Sequence, residues 1–171
     1  MALTVREARD AYLAENGFTL EAYDAKWTQA SVFGLRFAVP NTRRHRAAIM
    51  VHDLHHVATG YGTDNVGEGE ISMWELRCGL WPLGAYVGGI VLSGSLLGFL
   101  LAPRRALRAF GRARGASALF PLCRLDEAAF ARRYDELLAM TVDELRATLH
   151  VPAAGAAEGP RKLHAYAPRP A

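Results

Sequence analysis

The chain of 171 residues has only two cysteines, Cys78 and Cys123. That is too few for a disulfide scaffold or a four-cysteine zinc site, and the expected compartment is a reducing cytoplasm. The opening residues, MALTVREARDAYLAENG, lack an apolar core stretch and carry Glu7, Asp10 and Glu15. The expectation is therefore neither a secretory signal nor an Arg-rich transit peptide. Acid is missing from residues 76–125, and charge of either sign is missing from residues 78–103. Strict apolar–polar alternation and a two-residue hairpin signal are missing too, so nothing predicts a sheet. What is present is a chain 51% hydrophobic with mean hydropathy +0.03, too apolar for disorder and of a length that fits one domain.

The net charge of +3 is unevenly spread: −3 over residues 1–75, +7 over 76–125 and −1 over 126–171. The basic patch consists of seven arginines beside the most apolar part of the chain. Arginine next to apolar surface fits an anionic membrane surface or a phosphorylated amphiphile better than DNA. No zinc finger, helix-turn-helix or interleaved aromatic platform supports a nucleic-acid partner.

The punctuation is helical. Thr4 caps a helix over 5–15 stopped by Gly17, and Thr19 starts another toward Trp27. Pro40, Asn41 and Thr42 open a third from about Arg43 to Thr59, stopped by Gly60. After the loop 60–67, GYGTDNVG, Glu68 or Glu70 begins the next helix, ending near Gly79. Asp126 caps a later helix, and Thr141 with Glu144 makes a capping box for the last, to about Leu149. The prediction is an all-α, single-domain helical bundle over residues 1–151 with a glycine-rich apolar helical segment, then a disordered tail over 152–171.

The 26 residues 78–103 are long enough to span a bilayer. They include Pro82 and two small-xxx-small pairs, Gly84/Gly88 and Gly94/Gly98, which let helices pack closely. The alternative is two buried helices broken around Gly88-Gly89. Arginines 104, 105, 108, 112 and 114 suit a membrane-surface face under either reading. The expectation is peripheral attachment at the inner face of the cell membrane.

The chemistry concentrates at His52-Asp53-Leu54-His55-His56. Histidines four apart project from one helix face, so His52 and His56 can grip one metal ion from adjacent turns. Asp53 lies at the rim of that face, about 60° from His56 at roughly 100° per residue. Glu68 follows after eleven residues, where the loop can fold it back over the histidines. Glu75 shares the Glu68 face and is a candidate to orient a ligand from behind. His55 points away as a neighbour, and His45 is two turns upstream. Imidazoles with carboxylates suit zinc, and also iron(II) or manganese(II).

The pattern His52-Asp53-x-x-His56, eleven residues, then Glu68 resembles the signature of the coenzyme Q (ubiquinone) biosynthesis protein four family. The segment AFARRYDELLAMTVDELRATLHV is similar to that family's final helices, and the resemblance covers roughly residues 5–151. His55 stands where that family commonly has an aromatic or apolar residue. The resemblance implies a mostly helical, peripheral membrane protein with a zinc-type site of His52, Asp53, His56 and Glu68. It also implies ubiquinone synthesis through removal of the ring carboxylate and hydroxylation at that carbon, with Asp53 as the catalytic candidate. The implied partners are a prenylated quinone precursor or other isoprenoid lipid, further quinone-synthesis enzymes, and a second copy in a homo-oligomer. The apolar 79–102 stretch is then expected to bury an isoprenoid tail, with Arg104 or Arg105 meeting an anionic headgroup.

Other readings stand beside it. A thermolysin-type hydrolase uses His-Glu-x-x-His, but here the acid is Asp53, one methylene shorter. A His-x-x-His-His box of membrane desaturases (His52, His55, His56) needs several such boxes, and six histidines in all are too few. A His-Asp phosphohydrolase needs a distant histidine and a late aspartate on particular helices; His45 is too near, and no motif singles out Asp126 or Asp135. The non-enzyme alternative is a lipid-binding scaffold whose metal is structural, favoured if four protein ligands close the site.

Overall fold

The computed structural model describes residues 2–32 and 35–159, with the side chains of 30–37 left aside. Its α-helices among these residues are α1 (Val5–Asn16), α2 (Arg43–Thr59), α3 (Asn65–Cys78), α4 (Gly84–Leu101), α5 (Pro103–Arg112), α6 (Glu127–Ala139) and α7 (Val142–Leu149). The protein is an all-α single domain. Its helix ends follow local capping chemistry. Thr4 and Thr141 each make a full capping box, with Glu7 and Glu144, and Thr42 accepts from the His45 N–H. Gly17 and Gly60 close α1 and α2 in the left-handed conformation that glycine adopts without a Cβ penalty. The two capping boxes lie side by side, because Val5 N–H donates to the Met140 carbonyl and Val142 N–H to that of Leu3.

Helix α2 runs through the core. Val51, Leu54 and Ala58 are fully buried on it, and so are His55 and His56. Around it pack α1 (Tyr12, Leu13), α3 (Ile71, Trp74), the turn after α5 (Leu119, Phe120) and α7 (Leu145, Leu149), and α6 adds Leu137 and Leu138 to the same core by packing on α1 and that turn. Buried histidines and acids on the central helix cost desolvation unless each finds a partner, so their placement demands an account.

Several expectations are corrected. The sequence signals no hairpin, yet β1 (Trp27–Val32) pairs antiparallel with β2 (Leu35–Pro40), in a register running from Trp27 opposite Pro40 to Val32 opposite Leu35. A two-stranded ribbon needs no alternation if its ends are tied. Here the Asn41 side chain donates to the Tyr23 and Ala25 carbonyls, and its N–H donates to that of Lys26. Helix α3 begins at Asn65, not Glu68 or Glu70, because Asp64 caps it by accepting from the Gly67 N–H.

The apolar run forms a short 3-10 turn, Trp81–Leu83, and then one unbroken helix, α4, instead of two halves split at Gly88-Gly89. The stretch Trp81–Leu101 is long and apolar enough to cross a membrane by length and composition. It is not a buried core element. Only Val87, Ser95 and Gly98 of α4 are buried, while Trp81 is 88% and Leu100 70% exposed. One face packs on α3 through Gly69 and Gly98, where a Cβ on either glycine would come within 2.4 Å of the other's Cα.

The chain also stays ordered past the expected boundary at Val151. Ala156 and Ala157 N–H groups both donate to the Thr59 carbonyl at the end of α2, and Ala156 is buried. The orphan carbonyls of a helix end supply the anchor that composition does not reveal. The rest of the tail, 160–171, lies outside the described residues.

The α3–α4 crossing can be tested. Gly98→Val is expected to destabilise the protein by about 1–3 kcal/mol through overpacking. Gly89→Ala on the same helix, where a Cβ meets nothing within 4 Å, should stabilise by up to about 1 kcal/mol. Urea unfolding of the two variants checks both signs.

Candidate metal centre

Two turns of α2 and the first turn of α3 build the site. Gly67 allows the loop to close over α3, since a Cβ there would sit 2.2 Å from the Gly62 carbonyl oxygen. The chain is thereby drawn in so that Glu68 returns over α2. The ligand atoms of His52, His56 and Glu68 then all lie within 4.8 Å of one another. The two Nε2 atoms are 3.1 Å apart, with the rings at 89°. Glu68 Oε2 is 3.4 Å from His52 Nε2, and Oε1 is 3.4 Å from His56 Nε2. A tetrahedral ion with bonds of roughly 2.0–2.2 Å separates its ligand atoms by roughly 3.3–3.5 Å. Glu68 offers a different oxygen to each histidine, and with one ligand atom from each residue within 4.8 Å the group could hold a metal ion.

The groups behind the ligands set which nitrogen faces the centre. His56 Nδ1–H donates to the Tyr61 carbonyl at 3.0 Å, which can only accept, so Nε2 carries the lone pair. His52 Nδ1 meets Glu75 Oε1 at 2.8 Å with the same consequence. Glu75, fully buried, therefore holds His52 from behind, as carboxylates commonly do for metal-binding histidines.

His55 belongs to this support and not to the centre. Leu119 N–H donates to its Nε2 at 2.9 Å, and its Nδ1–H donates to the same Glu75 oxygen at 2.7 Å. That arrangement removes the three-histidine box, because His55 does not converge with His52 and His56.

Electrostatics agree with the geometry. Burial raises the Glu75 carboxyl, but His52 and His55 outweigh it and bring it down to about 2. Burial acts the same way on Glu68, and His56 and His52 hold it well below the usual carboxylate range. Burial lowers His52, yet Glu75 and Glu68 together lift it well above an ordinary histidine. Burial pushes His55 down, consistent with a neutral ring.

The His52 shift carries a pH sign. A raised His52 favours the protonated ring when metal is absent, and a metal ion must then displace the Nε2 proton to use its lone pair. Metal affinity should therefore rise with pH until His52 loses its proton unaided, by up to about tenfold per pH unit. Calorimetric titration in buffers of different ionisation enthalpy should record about one proton released per ion bound.

Asp53 takes a different position from that expected of a ligand. It is buried and outside the converging set, and its Oδ2 accepts from the Tyr23 hydroxyl at 2.5 Å. Burial pushes its carboxyl up, against the pull of the His52 and His56 rings. Tyr12 stacks on His56 at 5.3 Å, and buried Arg9 donates to the Tyr134 hydroxyl at 3.4 Å. Asp53 thus belongs to a buried layer of tyrosines beneath the metal ligands.

The thermolysin-type reading needs that acid beside the ion, and Tyr23 holds it elsewhere. Sequence reasoning missed Tyr12, Tyr23 and the Tyr61 carbonyl. Asp64 was readable as a cap, three residues before Gly67, but the tyrosines approach from distant segments without a local signal.

Arg105, expected to meet a headgroup, instead turns inward and grips Glu70 through both oxygens, at 2.9 and 2.6 Å. The outer face of α4 is exposed surface and not the lining of an apolar cleft. A cavity of about 400 Å³ lies elsewhere, between α1, α2 and α7.

The fold and site together define an all-α protein with a two-histidine, one-carboxylate group able to hold a metal ion. No family model matches the chain, and no curated protein or solved structure matches it either.

Proposed function

We propose that this is a zinc-dependent protein of ubiquinone synthesis, of the coenzyme Q biosynthesis protein four type, acting on a prenylated, ring-carboxylated precursor at a membrane surface. The observation that carries the reading is the convergence of His52, His56 and Glu68 at the spacing of that family's signature. Three protein ligands, two of them part-exposed, leave a coordination position for substrate, which favours a catalytic over a closed structural ion. A divalent ion held there supplies Lewis acidity toward a ring carboxylate and its neighbouring oxygen. Glu75 and the Tyr61 carbonyl hold the imidazoles in register for it. Asp53, its carboxyl pushed up by burial and bonded to the Tyr23 hydroxyl, is the side chain proposed to hold or pass a proton.

The exposed apolar face of α4 supports contact with lipid. Because α4 is locked to α3 at Gly69 and Gly98, and α3 carries Glu68, Glu70 and Glu75, a spanning α4 would drag these acids toward the bilayer. This supports attachment along the surface over a span.

Deletion of the gene should lower quinone and leave a prenylated precursor with its ring carboxylate. Asp53→Asn should keep the fold and metal yet fail to restore quinone, as read by mass spectrometry of lipid extracts. Full restoration by Asp53→Asn would move the protein to the scaffold reading, and normal quinone in the deletion strain would remove both.

A further inference from the structure

We propose that Arg108, Arg112 and the Tyr61 hydroxyl form a phosphate-binding site that Glu158 fills in the free protein, and that its ligand is the phosphate of an anionic lipid in a membrane surface. This rests on the reading of α4 as a membrane-facing helix.

The two arginines stand one turn apart on α5 and share one carboxylate. Arg108 Nη1 donates to Glu158 Oε2 at 3.0 Å, Arg112 Nη2 pairs with Oε1, and Arg112 Nη1 donates to the Ala156 carbonyl. A small anion bridging two guanidinium groups is the arrangement that also receives phosphate. Beside it is a small, partly open pocket of about 10 Å³, bordered by Tyr61, Arg108, Arg112 and Glu158. Tyr61 is 1% exposed, and its hydroxyl has no hydrogen-bond partner. A carboxylate has two oxygens, both used by the arginines. A phosphate monoester, as in phosphatidic acid, brings a third terminal oxygen for a third donor, which the tyrosine supplies. Glu70 also borders the cavity, but Arg105 occupies both its oxygens, so it adds little free negative charge.

Two features make Glu158 the releasable occupant. The segment before it is held by backbone groups, with Ala156 and Ala157 N–H on Thr59 O at 2.7 and 2.9 Å, and Glu158 lies beyond those anchors. Its pairs with Arg108 and Arg112 are exposed on both sides, and exposed pairs are weak and screened by salt. The pair Arg105–Glu70, by contrast, is bidentate with a buried acid and acts as a fixed strut.

The surroundings indicate the source of the phosphate. Residues 76–125 contain no acid, and Leu100, Leu101 and Leu107 are exposed in the same helical hairpin. A phosphate at the end of an apolar body meets both features, and a dense anionic surface outcompetes one exposed carboxylate.

The test is binding of the full chain to phosphatidylcholine vesicles with and without phosphatidic acid. Glu158→Gln should bind the acidic vesicles roughly three- to tenfold more tightly than wild type, the effect of about one more arginine near an anionic surface. It should match wild type on phosphatidylcholine alone. Arg108→Gln/Arg112→Gln should cancel that gain and, in the wild-type background, weaken binding. Tyr61→Phe should reduce the gain.

Equal or weaker binding by folded Glu158→Gln, with wild type still bound, would overturn the site and leave the membrane reading standing. Should Glu158→Gln misfold, unchanged binding by the double arginine variant would overturn it. If neither wild type nor variants bind acidic vesicles, the membrane reading itself fails. Thermal stabilisation of Glu158→Gln by inorganic phosphate, with no vesicle effect, would overturn the lipid as the source.

Discussion

His52→Ala and Glu68→Ala should each lose the bound ion while the helices persist. Each removes one of three converging ligands, and two remaining donors do not hold a divalent ion against water. The two variants differ in what they leave behind. Without His52, the buried Glu75 carboxylate keeps only the His55 N–H on Oε1, while Oε2 has no partner even in the intact protein. Removing one partner of a buried charge exposes the cost of the other, so His52→Ala should also destabilise by a few kcal/mol, on the order of 2–4. Glu68 is part-exposed, and its loss should cost the metal but little else. Metal analysis with parallel thermal unfolding separates these outcomes. Metal retention in both variants would refute the three-residue site.

The second large effect belongs to Glu75, which touches no metal. It binds His52 Nδ1 and His55 Nδ1 through one oxygen, and His55 in turn accepts the Leu119 N–H. The side chain therefore connects α3 to α2 and, through His55, to the turn after α5. Glu75→Ala leaves two imidazole N–H groups unpaired in the core and should cost about 3–5 kcal/mol. Glu75→Gln keeps an accepting oxygen but loses the charge that raises His52. It should fold, bind metal about 10–100-fold more weakly, and show less proton release on binding. A Glu75→Gln protein with unchanged metal affinity would reduce Glu75 to a packing role.

These residues also mark how far the sequence could be read. The ends of α2 and α7 follow from Thr42, Gly60 and the Thr141–Glu144 box because capping is a matter of a few adjacent residues. His52, His56 and Glu68 were legible for a similar reason: a four-residue spacing and one loop closure decide the geometry. Asp53 was not, because its direction depends on Tyr23, thirty residues earlier and brought in by tertiary packing.

Helix α4 shows a related failure. Glycine weakens a helix by about 1 kcal/mol per residue, which suggested a break at Gly88-Gly89, but the contact along α3 holds the helix continuous. The segment 152–158 looked disordered by composition, and the free carbonyl of Thr59 that orders it is visible only once α2 is built.

The central claim is that one divalent ion sits between α2 and α3. X-ray absorption at the zinc edge, on protein loaded with one equivalent of zinc, tests it most directly. The account predicts about two imidazole nitrogens and the remaining ligands oxygen, all at roughly 2.0–2.2 Å, with the imidazole signal lost in His52→Ala. A sulfur shell at roughly 2.3 Å, or a spectrum unchanged by His52→Ala, would contradict it.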